Sequence, residues 1–138
     1  MPARAYAFAS AEWHYDHNDS RCPHDAWVES ITVVEPSSGE RHEIWSLEIR
    51  VELLGAYHNG RIRLTYLRVR EYSLFQPGVD ERSAPSRGHG DWLVDEISVS
   101  KNSRPQQLLV LHEVRLAEGG SWMIECEDIV YEWVPHGP

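Results

Sequence analysis

The sequence predicts an all-β protein, built as two pseudo-repeated three-stranded antiparallel meanders packed as a small sandwich or partly open barrel. Three observations carry this prediction. Trp45, Leu47, Ile49, Val51 and Leu53 alternate with Ser46, Glu48, Arg50 and Glu52, the period of a half-buried strand. The chain then returns through Ile62, Leu64 and Tyr66 after Asn59-Gly60, a dipeptide suited to a two-residue hairpin turn. Finally, the pattern restarts, because Asp91–Val99 matches Asp25–Val33 at four of nine positions, Asp, Val, Ile and Val.

Residues 1–23 form an N-terminal arm with no clean period, open to a strand, a short helix or a mobile arm. Within it, His14 to Asp25 is a loop rich in turn formers. The first meander, 24–75, opens on a strand whose expected inward face is Trp27, Ile31 and Val33. With a turn at Asn59-Gly60, Tyr66 is expected opposite Leu53. The apolar parity of the return strand switches from Leu64 and Tyr66 to Leu67 and Val69, then back to Tyr72 and Leu74. Two β-bulges, near Tyr66–Leu67 and Arg70–Glu71, would reconcile the faces and bend the strand. Residues 76–90 form a Pro/Gly/Ser-rich crossover loop, and 91–134 the second meander. Leu64-x-Tyr66-x-x-Val69 and Ile124-x-Cys126-x-x-Ile129 share one spacing, which places the same bulge in both copies.

Composition narrows the partners. The chain has 138 residues, enough for one domain with a real core. Lys+Arg 13 against Asp+Glu 22 leaves a net charge of −9, which argues against nucleic acid or an anionic membrane and suits a basic partner. No apolar run approaches the ~20 residues of a membrane helix, and the first residues lack a secretory pattern, so a cytoplasmic protein is expected. Cys22 and Cys126 are too few for a disulfide framework, and Cys126 reads as a small core residue.

His24-Asp25, the strand and bulged hairpin that follow, and Glu125-Cys126-Glu127-Asp128-Ile129 at the end of the second meander carry a resemblance. The chain resembles a diffuse group of small bacterial all-β proteins, some of them immunity proteins encoded beside polymorphic toxins. The resemblance implies a non-enzymatic protein-interaction domain, possible partners including a basic toxin domain, and transfers no catalytic residue.

Candidate sites are weighed against ordinary structure. His14, Asp16, His17 and His24 are competent metal ligands, and with His89 and Asp91 could serve a metal-dependent hydrolase. Their spacing fits no zinc motif, and a polar loop with Asx turns explains them as well. No cofactor is expected. Trp13 and Trp92, with His89, Asp91 and the crossover loop, are the candidate contacts for a partner, small ligand or carbohydrate. Arg61, Arg63, Arg68 and Arg70 could bind phosphate, but cross-strand pairing with acidic neighbours is the simpler reading. His112, in an apolar phase, is expected to be buried and hydrogen-bonded. Leu109 and Leu111 lie on the second face of an otherwise apolar strand, which predicts an isologous homodimer burying both.

Overall fold

The computed structural model describes residues 1–78 and 88–136. A short helix, α1 (Ala3–Ala9), and a 3-10 turn (Glu12–Tyr15) precede eight strands. These are β1 (Trp27–Val34), β2 (Ser37–Ser38), β3 (Ile44–Trp45), β4 (Glu48–Leu54), β5 (Gly60–Phe75), β6 (Trp92–Val99), β7 (Val110–Leu116) and β8 (Ser121–Pro135). Six form one antiparallel sheet in the order β1-β4-β5-β8-β7-β6, while β2 and β3 pair as a separate small hairpin. The two meanders are therefore real, and they join edge to edge through the long β5–β8 pair. The order reads the same from either end of the sheet, as a pseudo-twofold between β5 and β8 requires. The outermost strands touch where they begin: Trp27 and Asp91 form a single bridge. There the Asp25 N–H donates to the Trp92 carbonyl at 2.8 Å, and the Trp92 N–H to the Ala26 carbonyl at 2.9 Å. The sheet is thus strongly curved without closing into a barrel.

Apolar alternation fills the inner face. Ile49, Val51 and Leu53 of β4 pack against Ile62, Leu64 and Tyr66 of β5, with Val110 and Val114 of β7 and Ile124, Cys126 and Ile129 of β8. The arm is neither a strand nor a loose tail. It brings Ala5 and Phe8 into the same core, and the Ala5 N–H donates to Asp128 Oδ1 at 2.8 Å. No helix among the described residues is long and apolar enough to cross a membrane.

Several expectations need correction. Leu53 faces Ile62, not Tyr66, and Tyr66 faces Ile49. The turn is longer than Asn59-Gly60, because the Gly55 N–H donates to the Gly60 carbonyl at 2.9 Å. Gly60 belongs to β5, where a Cβ would lie 2.5 Å from the Trp133 ring. The β5–β8 register shifts between Val69 and Glu71, matching the second expected bulge. The bend beside it is made by Arg68 at φ +49°, a left-handed conformation costing an L residue about 1–2 kcal/mol.

The repeat equivalence holds, with its faces reversed. Trp27 and Leu93, its counterpart in the second meander, share a face, but it is the outer one, at 46% and 44% exposure, whereas Ala26 and Trp92 are fully buried. Bulges between Val28 and Ser30 in β1 and between Trp92 and Val94 in β6 slip the two-residue period by one. Leu109 is also covered within the chain, at 7% exposure. Its N–H takes Ser103 Oγ, and its carbonyl accepts the Ser100 N–H. β7 lies between β6 and β8, so it is not an edge strand.

Candidate functional site

Two places combine polar chemistry with a defined geometry: a buried chain of side chains under the N-terminal arm, and the outer face of the sheet. The buried chain starts at Asp95, turned inward by the β6 bulge. His14 Nε2 and His112 Nε2 both reach its Oδ2, at 2.8 and 2.7 Å. Trp92 Nε1 points at Oδ1 from 3.4 Å. His14 Nδ1 lies 2.7 Å from the Phe8 carbonyl. Both ring nitrogens of His14 thus face acceptors, the Phe8 carbonyl and the Asp95 carboxylate. His112 Nε2 faces the Asp95 carboxylate, and its Nδ1 lies 2.8 Å from the Tyr66 hydroxyl.

Burial works to raise the Asp95 pKa, but the hydrogen bonds from His112 and His14 outweigh it and hold the carboxyl well below its usual range. Burial pushes the Tyr66 hydroxyl well above its own. Every member is buried, and among the described residues no buried side-chain nitrogen or oxygen lacks a partner. As it stands, the group binds the 3-10 turn to β5, β6 and β7 and presents nothing to a substrate. His112 is buried and bonded as expected, whereas its link to Asp95 and His14 was invisible in the sequence.

The expected metal ligands are not brought together. His14 is committed to Asp95 and Phe8. The His17 and His24 rings stack at 3.8 Å and 8°, an arrangement in which their nitrogens do not converge. His24 Nδ1 lies 2.7 Å from the Leu93 carbonyl. Asp16 and Asp19 accept backbone N–H groups two residues on, from Asn18 and Arg21, as Asx turns do. Among the described residues no group of three His, Cys, Asp or Glu side chains is arranged to hold a metal ion.

The expected partner contacts separate too. Trp92 is a core residue, edge-on to Trp122 at 5.9 Å. Trp13 packs on Tyr131 at 4.5 Å, with the Arg21 guanidinium 5.5 Å above its ring. His89 is half-buried with its ring 6.2 Å from Trp122, and Asp91 is half-buried at the bridge to Trp27. Most of the crossover loop, residues 79–87, lies outside the described residues.

The outer face divides at the pseudo-twofold. On the β1-β4-β5 side the charges are matched: Arg61 with Glu29 at 2.6 Å, Arg63 with Glu132 at 3.4 Å, and Arg50 with Glu48. Arg68 and Arg70 pair with Glu127. Ion pairing thus occupies Arg50, Arg61 and Arg63, while Arg68 and Arg70 share one carboxylate. On the β6-β7-β8-β5 side carboxylates predominate, with Arg115 of β7 exposed on the same side of the strand as Glu113. Glu96 of β6 sits directly opposite Glu113 of β7, and both are exposed. Glu71 of β5 sits opposite Glu125 of β8, which the Ser100 hydroxyl and the Asn102 amide cover. Among the described residues Glu71, Glu96 and Glu113 have no cation within ion-pair distance. Leu111 and Met123 lie among these carboxylates on the same side of the strands, and the adjoining row holds Val94 and Phe75, both exposed, with Arg115.

Neither a protein-family model nor a curated protein matches this chain.

Proposed function

We propose that the protein is a non-enzymatic interaction domain, an immunity-type inhibitor that captures a basic toxin domain on the outer face of β6, β7, β8 and β5. The observation that carries this reading is Glu96 opposite Glu113. Like charges directly opposite each other on a sheet destabilise it, and a cationic partner would turn that cost into binding energy. The apolar residues between the carboxylates supply the desolvated centre that an interface needs. The sealed Asp95 group supports a binding role over a catalytic one. The expected cytoplasmic setting is where such an inhibitor would meet its toxin.

A homodimer through Leu109 and Leu111 keeps less of its basis, since Leu109 is covered within the chain. Leu111 remains on the acidic face, where a twofold would set Glu96 and Glu113 near their own copies. A basic partner fits that face better.

Co-expression with the product of a toxin-like reading frame beside this gene tests the reading. The chain is expected to neutralise that product and co-purify with it, with affinity that falls as salt rises. Glu96→Lys with Glu113→Lys should weaken the complex about a hundredfold, roughly tenfold per reversed charge. If no such product exists, or the double variant binds like the wild type, the reading fails.

A further inference from the structure

Opposite in character to the acidic face is a concavity where the β2–β3 hairpin meets the bend of β5. Among the described residues Trp45 is the most exposed of the large apolar side chains, at 72%. Its expected place was inside, as the first member of the Trp45–Leu53 alternation. The chain breaks between β3 and β4 at Ser46-Leu47, which frees the indole from the inward phase. Leu47, Arg68, Val69 and Arg70 complete the lining with Glu127. The Val69 N–H donates to the Leu47 carbonyl at 2.7 Å, fixing hairpin and bend together.

The charges here run against the −9 of the whole chain. The Arg68 and Arg70 guanidiniums lie 3.0 and 3.5 Å from the same oxygen, Glu127 Oε2. The Glu127 side chain is largely buried, while both arginines keep about half of theirs in solvent. Two cations held by one carboxylate leave a positive charge over, and open guanidinium donors. Glu127 sets their separation and tempers their repulsion. Arg68 adopts φ +49°, where glycine would sit without strain. A strained backbone that presents a functional side chain is a familiar mark of a binding site.

We propose that this concavity binds a planar anion, its ring stacked on the Trp45 indole and its oxyanion held by Arg68 and Arg70. The guanidinium fork suits both carboxylate and phosphate, and the indole face suits an aromatic ring. Aryl carboxylates and aryl phosphates are therefore the ligand class. This site does not depend on the acidic face or on its partner.

The test is an NMR titration of the Trp45 indole N–H, assigned with Trp45→Phe, using benzoate, phenyl phosphate and inorganic phosphate as probes. A saturable shift is expected with one or both aryl anions, and which of the two binds more tightly identifies the headgroup. Arg70→Gln should weaken that binding about fivefold or more. Trp45→Ala, read through the Val69 backbone N–H instead, should reduce the aryl probe to the level of inorganic phosphate. Arg68→Gly is the decisive variant, because it removes the strain together with the guanidinium. It should lose binding with a melting temperature equal to or above the wild type. No saturable shift at millimolar probe, or binding untouched by Arg70→Gln, would overturn the proposal. So would an Arg68→Gly protein that melts lower yet binds normally, since the arginine would then serve the bend alone.

Discussion

Asp95 ties three elements together, because the 3-10 turn, β6 and β7 meet on one of its oxygens. Removing one partner from a buried charge pair typically costs about 3–5 kcal/mol. Asp95→Asn is therefore expected to lower stability by about 3 kcal/mol, measured by urea unfolding. The pH dependence has a definite sign. The folded pKa of Asp95 lies below its unfolded value of about 3.9. Its contribution is thus fully present above about pH 4 and drains away as pH falls through the folded value. The gap between wild type and Asp95→Asn should accordingly narrow in acid, and a constant gap would show that the carboxylate is not the source. At this scale the sequence was partly legible. His112 announced itself as a polar residue in an apolar phase. Asp95 looked like the counterpart of Glu29, which is exposed, and only the bulge in β6 turns it inward.

Strand positions were readable from alternation, and the second parity switch in β5 was readable as a bulge, whereas β8 carries no register shift of its own. Bulges that come within two residues of a strand's start were not readable, since too few residues precede them to establish a phase. Trp27 and Trp92 exchanged faces for this reason. The β4–β5 connection shows a different limit. Asn59-Gly60 is a strong turn signal, but Gly60 is required by packing: the Trp133 ring and the Val134 carbonyl fill the space of a Cβ, at 2.5 and 2.8 Å. Gly60→Ala should therefore destabilise the protein by about 1–3 kcal/mol through overpacking. Pairing Gly60→Ala with Trp133→Leu should recover part of the loss. If Gly60→Ala is neutral in thermal melting, the ring has room to move.

Across the whole molecule, the curved sheet gives two unlike halves to its outer surface. Neither was visible in net charge, because opposition of Glu96 to Glu113 depends on a register that only the folded sheet supplies. An acidic face that a twofold axis would set against its own copy disfavours self-association and predicts a monomer. Sedimentation at low salt should report a mass near the 15.9 kDa of one chain. A dimer that persists at low salt and is lost on Leu111→Glu would instead favour self-association through that face.

The bond from Ala5 to Asp128 joins residues 123 positions apart, and that distance has a consequence in time. The bed on which Phe8 and Trp13 lie is built from β8, where Tyr131 stacks on Phe8 at 4.9 Å. Until β8 pairs with β5, the arm has nowhere to dock. Refolding should then proceed in order, with the sheet assembling at the slow pace of non-local pairing. The indole of Trp13 reaches its final surroundings last. A fluorescence phase that disappears in Trp13→Phe and trails the far-ultraviolet dichroism would mark that late step.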